Sequence, residues 1–217
     1  MNIKIDLKIF LFAFLFYITK QIEIYALVML FAFVHELGHL LFGLALGFKI
    51  DSIKINPLGF RLSFQSYVED CNQKIKNGNL LCIKKIWIAL AGPLTNIIMI
   101  LLLGISHLPN TTTMIYANLL LAIFNLLPIY PLDGGRILEQ VIHIIKGKEA
   151  AYYVISSVGR ATVILLTIAT SILILYIHNI AFVLILIYLW YLVIQNEKII
   201  RIKQSIYKEV HQSEILK

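Results

Sequence analysis

Apolar runs as long as a bilayer is thick dominate this chain. A helix needs about 20 residues, within a range of roughly 17–25, to cross the hydrocarbon core. Six stretches of that kind are predicted, over residues 3–19, 24–46, 86–106, 114–131, 161–177 and 180–195. The first carries Asp6 and Lys8 near its start, and no small-x-small cleavage site follows it, so it reads as a retained span rather than a removed leader. Composition points the same way. The chain is 59% hydrophobic and 14% charged, where soluble domains carry about 45–50% and about 25%. Apolar surface on that scale needs a cover, and lipid is the simplest one. The expected class is an all-α polytopic membrane protein with about six transmembrane helices.

The gaps between the runs are unequal. Residues 48–56 and 61–65 partly alternate apolar and polar positions around the turn signal Pro57-Leu58-Gly59-Phe60, which predicts a short membrane-associated β-hairpin after the second span. Asn77-Gly78-Asn79 reads as a turn within the polar, basic stretch 69–85. Residues 134–160 suggest short helices at the membrane face, and 196–217 a weakly amphipathic surface helix. One domain over 1–195, with its catalytic core at about 24–145, and a C-terminal tail over 196–217 are the expected organisation. Cys71 and Cys82 lack the Cys-x-x-Cys spacing of a structural zinc site. Both fall in a segment expected to be cytoplasmic, where thiols stay reduced.

The formal net charge of +7 could mark a nucleic-acid binder, but the basic residues fall between the apolar runs. With six spans, every Lys and Arg except Lys20 lies on one side of the membrane. The positive-inside rule then places both termini, the 47–85 segment and the 134–160 segment in the cytoplasm of a multi-pass cell-membrane protein. Its partners would be the bilayer and membrane proteins, not nucleic acid.

The second run contains His35-Glu36-Leu37-Gly38-His39. Ionisable groups are expensive in hydrocarbon and mark function by default. On a helix, positions i and i+4 share a face, so His35 and His39 can grip one metal ion, while Glu36 can reach a water held on it. This is the His-Glu-x-x-His pattern of zinc hydrolases. A bonded polar cluster is the plain alternative, but three ionisable groups in five residues suit a lipid-embedded core poorly. Gly38 also suits close helix packing. Catalytic zinc takes three protein ligands and keeps one position open. Asp133 is the sole acidic residue between Asp70 and Glu139. It ends the fourth run at a depth matching the histidines, after Pro128 and Pro131 have broken the helix. Gly134 and Gly135 would permit a tight turn after it.

Three stretches resemble the site-2 protease family of intramembrane zinc metalloproteases: His35-Glu36-Leu37-Gly38-His39, Gly92-Pro93-Leu94-Thr95-Asn96, and Asn125-Leu126-Leu127-Pro128-Ile129-Tyr130-Pro131-Leu132-Asp133-Gly134. The resemblance covers about residues 20–145. It implies one Zn2+ held by His35, His39 and Asp133, with Glu36 activating water and Asn125 steadying the oxyanion. It also implies that residues 48–65 present substrate as an added strand. The layout is similar to the sporulation stage IV protein FB branch, whose members process a membrane-tethered sigma-factor precursor. Many members of that branch end in a CBS domain, which is not found before Lys217, and no PDZ domain is inserted.

The expected activity is therefore zinc-dependent intramembrane endopeptidase cleavage of a membrane-associated protein near the cytoplasmic face. A membrane regulator or inhibitor would be a further partner. A metal transporter or a non-catalytic zinc-binding membrane protein is the alternative. A transporter should carry polar groups on several spans, and the fifth and sixth are nearly all apolar.

Overall fold

A computed structural model describes residues 2–5, 7–56, 59–64, 75–106, 108–177 and 180–215. Ten elements follow in order: β1 (Asn2–Ile5), α1 (Lys8–Ile18), α2 (Ile22–Ala45), β2 (Ile50–Asn56), β3 (Gly59–Phe64), α3 (Ile75–Gly104), α4 (Thr111–Asn125), α5 (Asp133–Lys146), α6 (Lys148–Ile177) and α7 (Ile180–Ile215). The chain divides into two compact units, Met1–Leu126 and Leu127–Lys217.

This is a helical multi-pass membrane protein. Among the described residues, four helices rather than six are long and apolar enough to cross a bilayer: Ile22–Ala45, Asn79–Gly104, Lys148–Ile174 and Val183–Ile202. At 1.5 Å per residue, the 24 residues of α2 extend about 36 Å, more than the ~30 Å hydrocarbon core. The 11 residues of α1 extend about 16 Å. The predicted first span is therefore corrected. Its opening residues Asn2-Ile3-Lys4-Ile5 alternate polar and apolar, and they form a strand instead. The predicted fourth span is shortened to the 15 residues of α4, because Pro128 and Pro131 cannot continue a helix.

In the first unit, β1, β2 and β3 form a sheet in that order. β1 pairs parallel with β2, from Asn2 opposite Ser52 to Ile5 opposite Ile55. β2 pairs antiparallel with β3, from Asn56 opposite Gly59 to Ile50 opposite Phe64. The turn residues Pro57 and Leu58 lie outside the described residues. So do residues 65–74, including Cys71.

Helix α2 buries Tyr25, Phe31, Ala32, His35, His39 and Gly43, a stripe at helical spacing. Its other side exposes Leu30, Phe33, Leu41 and Leu44, which suits lipid. Helices α2, α3 and α4 meet around Phe31, Leu103 and Ala117, with Leu27, Val28, Met99 and Met114 against them. Small residues let α2 and α3 approach closely. A Cβ on Gly38 would stand 2.9 Å from the Ala91 carbonyl oxygen, so the packing role expected of Gly38 is what the fold uses.

The predicted turn at Asn77-Gly78-Asn79 is also corrected, since all three residues lie inside α3. A glycine costs a helix only about 1 kcal/mol, which packing readily overrides. Cys82, expected in a loop, is a buried α3 residue. In the second unit, α5 packs on α6 and α6 on α7. Tyr152, Ile155 and Ile200 form the core there, with Tyr130 and Leu138 packed on it. The predicted tail 196–217 does not start a new helix, because α7 runs unbroken from Ile180 to Ile215.

Candidate metal centre

His35 and His39 project from the buried stripe of α2, 4% and 2% exposed. One helical turn separates them, so their rings converge: Nε2 of one lies 3.1 Å from Nε2 of the other. Two nitrogens bound at about 2.0–2.1 Å to one tetrahedral zinc stand about 3.3 Å apart. The pair is thus spaced for a shared ion. The rings meet nearly edge to face, at 85°, so their lone pairs approach one point from different directions.

The tautomer of His39 follows from its neighbour. Its Nδ1 lies 2.7 Å from the carbonyl oxygen of Ile88 on α3. A carbonyl only accepts, so Nδ1 carries the proton and donates. In the neutral ring Nε2 is then left with its lone pair, as a metal ligand must be.

Gly92, one turn along α3, makes room for both rings. A Cβ there would overlap His39 Nε2 and lie 2.6 Å from His35 Cε1. Pro93 follows it inside the helix, and Thr95 bonds back to the Ala91 carbonyl at 2.8 Å. Asn96 is fully buried.

Asp133 is the first residue of α5 and is 4% exposed. A carboxylate at a helix N-terminus is favoured by the unpaired backbone N–H groups there. Arg136 Nη1 lies 3.8 Å from its Oδ1. The glycines after it do not make the tight turn expected of them, because Gly134 and Gly135 lie within α5. Gly135 serves close approach instead: a Cβ there would sit 2.5 Å from the Ile129 carbonyl carbon and the Tyr130 nitrogen.

His35, His39 and Asp133 each offer one ligand atom, and these atoms lie within 4.8 Å of one another. Two imidazoles and one carboxylate, all buried, fit Zn2+ in charge, hardness and number, leaving one position for water. Glu36 is half-buried on α2 beside His35. Asn125 is the last residue of α4, and its Nδ2 donates to the Leu121 carbonyl at 3.1 Å.

The roles of two contributors are not legible in the sequence. The Ile88 carbonyl is backbone and leaves no residue-type signal. Gly92 did leave one, a Gly-Pro pair inside an apolar run, but its role as clearance for the imidazoles needs the helix pairing to be seen.

The description "Peptidase family M50" matches residues 104–166. A zinc metalloprotease of Methanocaldococcus jannaschii is 27% identical over 192 residues, covering 84% of this chain and 51% of that protein. Stage IV sporulation protein FB of Bacillus subtilis is 25% identical over 127 residues, covering 56% of this chain and 41% of that protein. The chain spans about half the length, or less, of these curated relatives. Among solved structures, the site-2 protease from Methanocaldococcus jannaschii superposes with a TM-score of 0.66 over 89% of both chains, at 22% identity. That likeness is one of fold.

Proposed function

We propose that this chain, which belongs to the site-2 protease family of intramembrane zinc metalloproteases, peptidase family M50, is a zinc-dependent endopeptidase that cuts a membrane-tethered protein near the cytoplasmic face. The observation that carries the reading is the buried convergence of two imidazoles and one carboxylate, with a second carboxylate, Glu36, next to the first imidazole on an apolar helix.

His35, His39 and Asp133 would hold the zinc, which would supply a Lewis acid that lowers the pKa of water toward neutrality and polarises a carbonyl. Glu36 takes a proton onto its carboxylate as water attacks the scissile carbonyl. It then returns that proton to the leaving amine nitrogen. The amide nitrogen of Asn125 carries two protons, and one is engaged by Leu121. The second is available to the oxygen on which charge develops. The Ile88 carbonyl holds His39 in the ligating tautomer throughout.

The scissile segment must unwind, because a helical carbonyl is already bonded. In the sheet order β1-β2-β3, β3 is an outer strand of a membrane-associated hairpin. Its outer edge, unpaired among the described residues, would pair with the unwound segment by β-augmentation.

Both termini face the cytoplasm in this reading. Parallel pairing of β1 with β2 supports a start of the chain on the same side as the segment that follows α2. The Lys and Arg distribution then assigns that side to the cytoplasm. It also requires α4, completed by the non-helical residues up to Asp133, to count as a traverse. The catalytic core is about 24–145, and 196–217 forms the cytoplasmic end. The resemblance to the sporulation stage IV protein FB branch makes a membrane-tethered sigma-factor precursor the first substrate to try, and a membrane-bound regulator the first partner.

Co-expression with tagged membrane-tethered precursors tests the proposal, wild type against Glu36→Gln. A fragment produced only by the wild type is the expected result. Identical fragments from both would remove the hydrolytic assignment.

A further inference from the structure

Within the second unit, α6 and α7 line a half-open pocket of about 150 Å³ whose polar wall includes Ser156, Ser157, Arg160, Glu197 and Arg201. Arg160 Nε lies 3.0 Å from Glu197 Oε1, and Arg201 Nη2 lies 4.0 Å from Glu197 Oε2. One carboxylate faces two guanidiniums, so the wall keeps a net positive charge. The carboxylate is the inner group, its side chain 19% exposed against 52% for Arg160 and 80% for Arg201. Each guanidinium has five N–H donors, and one carboxylate engages few of the ten.

The hydroxyls add to this. On the same helix Thr162, Thr167 and Ser171 bond back to the carbonyls four residues earlier, at 2.7–2.8 Å. Ser156 and Ser157 make no such bond among the described residues, so their O–H groups remain available where they line the cavity.

The cavity sits at a particular level. Arg160 immediately precedes the uncharged run 161–177, and Glu197 immediately follows the uncharged run 180–196. With these two uncharged runs as the parts of α6 and α7 that cross the hydrocarbon, that is the level of the lipid headgroups. We propose that the cavity seats a phosphate group, gripped by Arg160 and Arg201 with Ser156 and Ser157 donating to its remaining oxygens. An anionic phospholipid headgroup and free phosphate share that chemistry. Exposed Ile164 and Leu165 on α6 and Ile194 on α7, on the apolar side of that level, suit acyl chains and favour the lipid. The inner wall includes Tyr152 and Ile200, which pack with Tyr130 and Leu138, residues that bracket Asp133 in the chain. The inference concerns binding and does not depend on proteolysis.

Full-length protein in phosphatidylcholine nanodiscs doped with phosphatidylglycerol tests this, with bound lipid counted by native mass spectrometry. Wild type should retain phosphatidylglycerol selectively. Arg160→Gln with Arg201→Gln should weaken retention about tenfold, and Ser156→Ala with Ser157→Ala should weaken it in the same direction. Lys146→Gln with Lys148→Gln, which removes two charges elsewhere, should leave it unchanged. Inorganic phosphate added to pure phosphatidylcholine discs separates the sources. A melting shift there, lost in the arginine variant, supports a phosphate seat filled from solution; no shift alongside selective lipid retention supports the lipid. Equal retention by wild type and the arginine variant would overturn the proposal, as would equal loss in the lysine variant. If the arginine variant does not melt as a folded protein, the serine pair decides, and unchanged retention in that pair overturns it.

Discussion

The Nδ1 of His39 lies 2.7 Å from the carbonyl oxygen of Ile88, a helix backbone atom that orients one of the candidate metal ligands. The bond joins α2 to α3, fixes the ring's rotation and leaves Nε2 with its lone pair. Partners of this kind tune affinity by about 10–100-fold in metal sites generally. The α2–α3 pairing is therefore part of the candidate metal centre, and residues that set the distance between these helices should behave as site residues.

Gly92→Ala is the direct check. The added methyl would overlap His39 Nε2 and crowd His35 Cε1, so the imidazoles must turn or α3 must withdraw. Overpacking of this kind costs about 1–3 kcal/mol. Bound zinc, measured by atomic absorption on the purified protein, should fall along with cleavage. Full zinc content would mean that the rings have space which the structure does not show.

Glu36→Gln keeps the size of the side chain and removes its ability to take a proton. Zinc content should stay near wild type while turnover falls by about 10²–10⁴-fold, the usual range for general acid–base groups. Turnover near wild type would take Glu36 out of the mechanism.

Asp133→Ala removes a ligand rather than a base, so metal and activity should fail together. Zinc affinity should drop by more than the roughly 10–100-fold that loss of an outer partner costs. Competition with a fluorescent chelator measures this, and unchanged affinity would place the third ligand elsewhere.

Removal of the metal gives an independent readout. Dialysis against a strong chelator should abolish cleavage, lower the melting temperature in proportion to the lost binding free energy and be reversed by stoichiometric zinc. Activity that persists in zinc-free protein would sever catalysis from the metal.

Asn96 supplies a stability test. It is fully buried, and both its amide atoms lack a hydrogen-bond partner among the described residues. An unsatisfied buried amide costs about 1–3 kcal/mol, so Asn96→Leu, of similar volume, should match or exceed wild type in chemical denaturation in detergent. Clear destabilisation would show that the amide is bonded in the folded protein.

Much of the centre was legible before any fold was known. His35 and His39 follow from helical period alone, and Asp133 from the scarcity of acidic residues across a long apolar stretch. Local chemistry misled where tertiary packing had the stronger claim. Asn77-Gly78-Asn79 looks like a turn yet lies within α3. Residues 3–19 look like one apolar span, yet the first four described residues give their hydrogen bonds to β2. Gly134 and Gly135 look like turn residues, yet Gly135 is needed because α5 crowds the backbone of Ile129 and Tyr130.

Burial and periodicity are properties of a stretch of chain, so the amino-acid order by itself determined that this protein lives in lipid, that its metal-binding imidazoles share one helical face and that Glu36 stands beside them. Distances between stretches are not local properties. Only the packed helices decided which backbone carbonyl orients His39, why residue 92 can bear no side chain and how two arginines and two serines come to line one cavity. Each of these depends on atoms from separate helices meeting within a few ångströms, a condition set by close packing and not by the residues of either helix alone.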